Sequence, residues 1–298
     1  MTKLLFVRQP HVYLPEITAY KSYLSSHYPS VEAFESTDFQ DGYDLAEFDI
    51  AWHFMGRDMK GAGRYVIHEY NSLSTKPFAQ VKNQIKRIFN AKPDRRVFLN
   101  NTVRNKFGFN DAIPYSLRDM GVDDAFFQEN ITDTPEYDFI YAGGLNRGAV
   151  IERFLEHFSK NMQSATLILV GDASDCLRAK FKGFDNITFK GRVSYKEVPK
   201  LMANARYGLN IMPDEYPFNI QTATKVLEYM AVGLPVVTTN YQWINEFEAQ
   251  HKGRFFKLSP DMSNLSLDSL SEFEFVTPDI KELSWGNVIE KSNVFSFL

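Results

Sequence analysis

A lysine and a glutamate stand three residues apart in the segment "QTATKVLEYMAVGLPVVTTN", which runs from Gln221 to Asn240. If the segment is helical, Lys225 and Glu228 lie on the same face, because residues three apart are neighbours on a helix. A carboxylate accepts hydrogen bonds and an ammonium group attracts anions, so the pair can bind a polar ligand. The other interpretation is a solvated helix face, on which such pairs are common.

The elements around this pair follow from the apolar pattern. Apolar residues recur at the spacing of a core-facing helical stripe, at Ala223, Val226, Leu227, Met230 and Ala231. Gly233 predicts the end of the helix, and the apolar run Leu234–Thr239 predicts a buried strand. A helix, a turn and a buried strand in this order indicate a parallel α/β sheet.

A second candidate site is the glycine-rich turn in "YAGGLNRG", where Gly143, Gly144 and Gly148 stand between a predicted strand and a predicted helix. Backbone amides and a helix N-terminus at such a turn can hold an anion. The spacing is not G-x-G-x-x-G, and no acidic residue follows about twenty positions on at a strand end, so a nicotinamide cofactor is disfavoured. The Lys-Ser/Thr ending of a P-loop is also missing. A tight turn without a ligand is the other interpretation.

Alternating strand-like and helix-like segments fill both halves of the chain, which predicts parallel sheets wrapped by helices. The polar stretch "QENITDTPE", at 128–136, has a proline and no apolar period, and it predicts a domain linker. The predicted fold class is therefore α/β, with two Rossmann-like domains facing across a cleft. The domains span 1–130 and 136–284. The predicted strands are 3–7, 48–55, 64–70, 95–100, the run that opens "YDFIYAGGLNRG", 166–173, 186–193, 207–213 and 234–240, with helices near 17–26, 78–89 and 149–162.

Composition limits the possible functions. Hydrophobic residues make up 44% and charged residues 23% of the 298 residues, as in ordinary soluble globular proteins. The net charge of −4 argues against a nucleic-acid partner. Cys176 is the only cysteine, so neither an internal disulfide nor a thiolate-rich metal site is expected. With no apolar stretch long enough for a membrane span, we expect a cytoplasmic protein with at most peripheral membrane contact.

One stretch, 76–106, is strongly basic: it contains nine Lys or Arg residues and a single acidic residue, Asp94. Its predicted helix also carries an apolar stripe, formed by Phe78, Val81, Ile85, Ile88 and Phe89. A basic amphipathic helix can lie on the inner face of an anionic membrane. Alternatively, the stripe packs on the sheet while the charges face water.

The segments "FIYAGGLNRG", "LILVGD", "NITFKGRVSYKEVPKLMANARYGLNIMP" and "KVLEYMAVGLPVVTTN" occur in this order between Tyr137 and Asn240. Together they resemble the nucleotide-sugar-binding domain of GT-B glycosyltransferases, closest to the family 4 type. "RDMGVDDAFF", at 118–127, extends the resemblance loosely into the first domain. The resemblance implies that a last helix near 285–298 packs back on the first domain. No metal or other cofactor is implied.

The resemblance also implies a role for each polar residue of the segment around the Lys–Glu pair. Glu228 takes the position of the glutamate that binds the ribose hydroxyls, and Lys225 is then expected near the diphosphate. The first glutamate of the family motif is replaced by Ile220. We therefore expect Asn219 or Gln221 to take its place at the donor sugar, with Thr222 as a further residue of the binding site.

Other residues of the donor site follow from the same resemblance. Arg147 matches the second basic residue of the family's phosphate-binding pair, while Gly144 replaces the first and Gly143 completes the turn. Backbone atoms at Gly191, Arg192 and Val193 are expected to bind the nucleobase, which leaves UDP and GDP as alternatives.

The resemblance suggests a base as well. His68 lies at the end of a predicted first-domain strand, where relatives place a His or Asp near the donor sugar, and Glu69 is the competing candidate. The segment Arg8–His11 is a further source of a base.

The predicted function is a hexosyltransferase-type glycosyltransferase of cell-envelope or surface polysaccharide synthesis. It moves a sugar from a nucleotide-sugar to a saccharide or lipid-linked acceptor, with retention, and its catalytic residues are His68, Arg147 and Lys225. One alternative is an inverting transferase with His68 or Glu69 as base. The other is a non-catalytic partner protein that keeps the fold but has lost turnover.

Overall fold

A computed structural model describes residues 1–10, 13–37, 44–56, 64–75, 77–145 and 149–298. The chain forms two compact units. The N-terminal unit consists of Met1–Gly121 and Glu282–Leu298, and the C-terminal unit is Val122–Lys281. The chain thus passes from the N-terminal to the C-terminal unit just after Gly121, before the polar stretch 128–136 that was predicted as the linker. Within the described ranges, every helix is too short or too polar to cross a bilayer.

The N-terminal unit contains a six-stranded parallel sheet in the order β2-β1-β3-β4-β5-β6. Its strands are β1 (Thr2–Arg8), β2 (Val31–Thr37), β3 (Ile50–Phe54), β4 (Tyr65–Tyr70), β5 (Arg95–Phe98) and β6 (Tyr115–Leu117). Its helices are α1 (Pro15–His27), α2 (Ala79–Phe89) and α3 (Asn101–Phe107). The central strands are almost entirely buried, which explains their continuous apolar sequences.

The C-terminal unit repeats the architecture with a second six-stranded parallel sheet, in the order β12-β11-β10-β7-β8-β9. Its helices are α4 (Asp124–Phe127), α5 (Ala149–Asn161), α6 (Asp175–Phe181), α7 (Val198–Ala203), α8 (Thr224–Val232), α9 (Gln242–His251) and α10 (Leu267–Glu272). Its strands are β7 (Tyr137–Ala142), β8 (Leu167–Val170), β9 (Ile187–Gly191), β10 (Ala205–Asn210), β11 (Val236–Thr239) and β12 (Phe256–Leu258). The predicted α/β class with two Rossmann-like units is confirmed.

The C-terminal segment of the chain belongs to the N-terminal unit. Helix α11 (Trp285–Ser292) packs against α1. Beyond it, the ring of Phe295 lies 5.4 Å from that of Tyr20 and 5.7 Å from that of Trp52. Trp285 packs so closely on Gly121 that a Cβ there would lie 2.6 Å from the indole ring. The chain end therefore completes the core of the first sheet.

Three elements of the N-terminal unit were not predicted, namely β2, α3 and β6. Among the described residues, strand β2 pairs with β1 alone and is mostly half-buried, so its sequence lacks a continuous apolar run. Strand β6 is three residues long, too short for a period to show. In the C-terminal unit, α9, β12 and α10 were not predicted either, because the apolar pattern becomes irregular beyond Phe247, in the second half of α9.

Candidate functional site

The candidate donor site is at the carboxyl edge of the C-terminal sheet. From β7 the chain runs outward through β8 and β9, and then returns to the other side of β7 as β10. Ligands of open parallel sheets bind at the carboxyl ends of the strands where the order reverses in this way. Here the reversal lies between β7 and β10. The turn after Ala142 and the segment from Ile211 to α8 therefore flank the expected ligand position.

The turn after β7 is built from glycines for a steric reason. Gly143 and Gly171 follow β7 and β8 directly, with φ values of +133° and +138°. The amide of Gly143 donates to the carbonyl of Val170 at 2.8 Å, which brings the two turns together. A Cβ on Gly171 would lie 2.1 Å from the carbonyl oxygen of Gly143, so no larger residue fits. Next to them, Gly144 is exposed, and a Cβ there would meet no atom within 4 Å.

Lys225 lies beside this turn. It is the second residue of α8, and only 6% of it is exposed. Its Nζ atom is 3.7 Å from the centroid of the Tyr141 ring and 3.3 Å from the position that a Cβ on Gly143 would take. The Tyr141 hydroxyl donates to the carbonyl of Gly144 at 3.1 Å, which fixes the turn. A cation, a helix N-terminus and glycine amides thus meet at one edge, and this combination can bind an anion.

Glu228 is buried one turn further along α8, with 8% of it exposed. The Tyr195 hydroxyl donates to its Oε1 atom at 2.8 Å. Burial raises the pKa of the Glu228 carboxyl to about 7, although the Tyr195 hydrogen bond and the charge of Lys225 act in the opposite direction. The neighbouring residues Val226 and Leu227 are fully apolar and buried. Glu228 is therefore an acid held in an apolar setting, with a hydroxyl group already on its carboxylate.

Tyr195 was not predicted as part of the site. It stands in a 3₁₀ turn, Tyr195–Glu197, after β9, and its ring centroid lies 5.4 Å from that of Phe126. It meets Glu228 from another element 33 positions away along the chain, and no sequence spacing marks such a contact. Gly171 was also missed, although it is part of the "LILVGD" segment. A glycine directly after a buried strand was the available signal.

The residues expected at the nucleobase are the last residue of β9, Gly191, and the two that follow it. Gly191 accepts a hydrogen bond from the amide of Gly171 at 2.9 Å and so joins the two glycine turns. The Nε atom of Arg192 lies 2.6 Å from Oδ2 of Asp172, and both side chains are exposed. Val193 is half-buried. All three therefore lie at the same carboxyl edge as Gly143.

Residues expected at the donor sugar stand just before α8, in and after the 3₁₀ turn Phe218–Ile220. Asn219 donates from Nδ2 to Asp214 at 3.2 Å. Its Oδ1 atom and the Nε2 atom of Gln221 are buried without a hydrogen-bond partner among the described residues. Thr222 is half-buried. Buried polar atoms are normally satisfied, so these two atoms suit a ligand with hydroxyl groups.

Other predicted site residues lie outside the described residues. They are Arg147 and Gly148 of the glycine-rich turn, and His11 of the segment Arg8–His11. Arg8 itself forms an ion pair with Glu35, with 2.5 Å between Nε and Oε1. No group of three His, Cys, Asp or Glu residues within the described ranges is arranged to hold a metal ion.

His68 lies two residues before the end of β4, which ends at Tyr70 as the predicted strand 64–70 does. His68 is therefore an interior strand residue with 0% exposure, and its ring centroid lies 5.8 Å from that of His53 on β3. A general base must come within hydrogen-bond reach of the hydroxyl it deprotonates. In this placement His68 is surrounded by protein.

Glu69 is equally buried and has several partners. It forms an ion pair with Arg118, and its Oε2 atom accepts from Trp52 Nε1 at 2.9 Å and from Tyr20 Oη at 3.2 Å. Burial raises the pKa of the Glu69 carboxyl to about 7, against the lowering effect of Arg118. These contacts hold the core of the N-terminal unit together, and they occupy the carboxylate that a base would use.

Comparison with known proteins identifies a match in the C-terminal unit. Residues 136–264 match a protein-family model described as glycosyl transferases group 1. A search of curated protein sequences finds no match.

Solved structures match over nearly the whole chain. AviGT4, a glycosyltransferase involved in avilamycin A biosynthesis, is 14% identical, and the match covers 98% of this chain and 96% of AviGT4 at a TM-score of 0.63. Anabaena Alr3699/HepE in complex with UDP-glucose is 14% identical over 99% of this chain and 97% of its own, also with a TM-score of 0.63. UDP-GlcNAc 2-epimerase from Methanocaldococcus jannaschii, in complex with UDP-GlcNAc and UDP, is 11% identical over 100% of both chains at a TM-score of 0.54.

At these identities the structural matches show the fold alone. Proteins with this fold include both a glycosyltransferase and a UDP-GlcNAc 2-epimerase. The family match covers the segment that holds the glycine turns, Lys225 and Glu228. The fold and the family match together support a glycosyltransferase with the GT-B fold.

Proposed function

We propose that the protein transfers a hexose from a UDP-sugar to a saccharide or lipid-linked acceptor, with retention of configuration at the anomeric carbon. The observation that carries the proposal is the pair of buried, oppositely charged residues on α8, Lys225 and Glu228, beside the glycine turn at the strand-order reversal. Burying charges is unfavourable unless they are paired or bind something. A nucleoside diphosphate offers hydroxyls to one residue and phosphates to the other.

Glu228 is assigned to the ribose. An ionised carboxylate accepts two hydroxyl hydrogen bonds, and charge assistance makes each about twice as strong as a neutral one. The Tyr195 hydroxyl, 2.8 Å from Oε1, already shows that this carboxylate can accept from a hydroxyl group. In the proposed complex a ribose hydroxyl takes the place of the Tyr195 hydroxyl or shares the carboxylate with it.

Lys225 is assigned to the diphosphate, together with the amides after β7 and with Arg147. The exposed Gly144 leaves the backbone open to a phosphate oxygen. A unit charge about 4 Å from the phosphate, at an effective dielectric near 20, contributes about 4 kcal/mol before desolvation. The leaving diphosphate gains negative charge as the bond to the sugar breaks, so this contribution grows in the transition state.

The reaction breaks the bond between the anomeric carbon and the diphosphate oxygen, and forms a bond from that carbon to the acceptor oxygen on the same face. The acceptor hydroxyl gives its proton to the departing phosphate oxygen, so no protein base is required. This agrees with the burial of both candidate bases, His68 and Glu69. An inverting reaction would need a base at the acceptor hydroxyl. Retention is therefore the form of the reaction that these placements favour.

The remaining assignments complete the donor site. Asn219, Gln221 and Thr222 are proposed to bind the sugar, and the backbone of Gly191, Arg192 and Val193 to bind uracil. The buried atoms Asn219 Oδ1 and Gln221 Nε2, which have no hydrogen-bond partner in the part of the chain that the structure describes, support the first assignment. We further propose a role in the synthesis of envelope or surface polysaccharide, because many such acceptors are lipid-linked.

Thermal unfolding in the presence of nucleotides tests the donor assignment. A ligand at about 100 times its Kd stabilises the folded state by about 2.7 kcal/mol. We expect UDP and one UDP-hexose to raise Tm for the wild type and to have little effect on Glu228→Gln, with GDP-sugars weaker in both. A Tm that no nucleotide changes, or one that rises equally in Glu228→Gln, would overturn the assignment.

Product analysis tests the reaction. We expect slow hydrolysis of the bound UDP-hexose and release of a sugar that NMR shows to have the anomeric configuration of the donor. Tight UDP binding with no turnover of any UDP-hexose would instead identify a non-catalytic partner protein. An inverted product would refute retention and would require a base at the acceptor hydroxyl.

A further inference from the structure

Helix α2 of the N-terminal unit packs on the protein through its small and polar residues. Ala79 and Asn83 are the residues of α2 that are buried. The Oδ1 atom of Asn83 accepts a hydrogen bond from the amide of Ser74 at 3.1 Å. At the end of the helix, Arg87 donates from Nη1 to the carbonyl of Gly108 at 3.1 Å. These contacts fix which side of the helix faces the protein.

The apolar side of α2 consequently points away from the protein. Phe78, which precedes the helix, is 74% exposed, and Ile88 is 66% exposed. The same holds for the rest of the stripe, so all of its members are exposed large hydrophobic residues: Phe78, Val81, Ile85, Ile88 and Phe89. A helix on the surface of a soluble protein normally buries such a stripe. The alternative in which the stripe packs on the sheet is therefore wrong, and a contiguous apolar surface remains.

Positive charge surrounds this apolar surface. The sequence of α2 contains no acidic residue, and Lys82, Arg87 and Lys92 are exposed on it or just after it. Other basic residues of the stretch 76–106 serve the unit itself: Arg96 is buried against Asp111, and Arg95 donates to Ser116. The exposed charges belong to a protein whose net charge is −4, so the basic surface is local.

We propose that α2 docks the protein on the surface of an anionic lipid bilayer. The helix would lie in the plane of the interface, with Ile85, Ile88 and Phe89 inserted at the boundary of headgroups and acyl chains. Lys82 and Lys92 would contact the lipid phosphates. Amphipathic helices with an apolar face and basic flanks bind anionic membranes in this way.

The charge distribution favours a bilayer over a second copy of the chain. A symmetric dimer built on the apolar stripe would bring the two basic flanks together, and like charges at short range repel. An anionic bilayer removes the apolar side chains from water and neutralises the flanks at the same time. If the proposed function holds, docking would bring the active site to a lipid-linked acceptor.

Vesicle co-sedimentation tests the docking without any measurement of activity. We expect the wild type to bind vesicles of mixed phosphatidylglycerol and phosphatidylcholine, and to bind pure phosphatidylcholine weakly. Ile85→Glu/Ile88→Glu should lower the partition coefficient by at least about 100-fold, since each substitution removes an aliphatic side chain that the bilayer would bury. Lys82→Gln/Lys92→Gln should lower it about tenfold, and added salt should weaken wild-type binding.

The matched control is Ile131→Glu/Val276→Glu, which replaces two exposed apolar residues of the C-terminal unit. It should bind vesicles like the wild type. The proposal is overturned if the wild type ignores anionic vesicles, if it binds neutral ones equally well, or if the control loses as much binding as the α2 variant. A wild-type dimer in sedimentation velocity that dissociates on Ile85→Glu/Ile88→Glu would also overturn it, with a second copy as the occupant.

The docking and the donor site can fail separately. The α2 variant should keep wild-type affinity for UDP, because α2 and α8 belong to different units. Loss of vesicle binding with intact UDP binding supports the docking, whatever the reaction is. Intact vesicle binding together with no UDP binding would leave the docking in place and refute the donor site.

Discussion

Helices α8 and α2 depart in opposite ways from the usual distribution of apolar residues to the core and charged residues to the surface. Helix α8 is buried on most sides and still carries Lys225 and Glu228, which are buried with it. Helix α2 is a surface helix and turns Val81, Ile85 and Ile88 toward solvent, while Asn83 faces the protein. Ordinary folding gains free energy by burying apolar groups and leaving charges in water. Both helices depart from this arrangement.

The difference lies in what each helix is proposed to meet. Buried charges suit a small ligand that brings its own polar groups into a fixed pocket, as a nucleoside diphosphate does. An exposed apolar stripe with basic flanks suits an extended surface that offers an apolar interior to the stripe and negatively charged headgroups to the flanks, as an anionic bilayer does. Local conflicts between sequence and environment are expected at functional sites. Each conflict therefore supports a proposed site and suggests the chemistry of its ligand.

The largest predicted effect is at Lys225. Lys225→Gln removes the cation expected to stabilise the leaving diphosphate, and loss of one such group typically costs about 10²–10³ in kcat. UDP affinity should also fall, while uridine affinity should stay unchanged because uridine has no phosphate. Steady-state kinetics and calorimetry measure these quantities. Lys200→Gln, an exposed lysine on α7, is the control and should behave like the wild type. Equal losses of UDP and uridine affinity would contradict the assignment.

Glu228 should have the next largest effect, on binding. Glu228→Gln keeps the size of the side chain but loses the charge, and two hydrogen bonds to a charged acceptor contribute about 3 kcal/mol together. UDP and uridine affinities should therefore both fall about 100-fold in calorimetry. Glu246→Gln, on the exposed side of α9, serves as the control. Unchanged uridine affinity in Glu228→Gln would show that the carboxylate does not touch the ribose.

The pH dependence of UDP binding should reveal the burial of Glu228. Its pKa is raised to about 7 in the unliganded protein, and the ribose hydroxyls need the ionised form. As the pH falls below about 7, binding must expel a proton, and Kd should rise by up to about tenfold per pH unit. The dependence should be flat above about pH 8.

The phosphate of UDP titrates as well, so the comparison with Glu228→Gln isolates the protein's contribution. That variant should lose the part of the pH dependence that comes from the carboxyl. Tyr195→Phe should move the midpoint upward, because the Tyr195 hydrogen bond lowers the pKa of Glu228. Identical pH profiles for the wild type and Glu228→Gln would place the ionisation elsewhere.

The smallest effect is expected on the stability of α2. Ile85→Ala and Ile88→Ala should change the free energy of unfolding by no more than about 0.5 kcal/mol without vesicles, because both side chains are exposed. Leu227→Ala in α8 is the contrasting variant, since that residue is buried and such a truncation costs about 2–5 kcal/mol. Urea denaturation measures both. A cost of about 2 kcal/mol or more for Ile85→Ala would mean that the stripe is packed after all.

The sequence predicted the fold because parallel sheets leave a strong signal. Buried strands such as β7 and β8 read as continuous apolar runs, and each is followed by glycine. The position of Lys225 and Glu228 on one helix also followed from spacing alone. The burial of these two side chains did not, since a polar pair on a helix is equally typical of a solvated face.

The remaining features of the site could not be predicted because they depend on contacts between elements that are far apart in the sequence. Tyr195 contacts Glu228 from a turn after β9, and Asn83 of α2 faces the protein and accepts a hydrogen bond from Ser74. No repeating pattern in the sequence indicates either contact. The apolar stripe of α2 was visible, but which side faced the protein depended on such tertiary contacts. The end of β4 at Tyr70 was predicted, but the complete burial of His68 was not, because it depends on neighbours such as His53 on β3.

A crystal structure of the protein with bound UDP tests the central claim most directly. The prediction is that the ribose hydroxyls lie within hydrogen-bond distance of the Glu228 carboxylate and that the diphosphate lies between Lys225 and the turn at Gly143–Gly144. The Tyr195 hydroxyl would then have moved from Oε1 or would share it. UDP bound elsewhere, with the hydrogen bond between Tyr195 and Glu228 unchanged, would contradict the account.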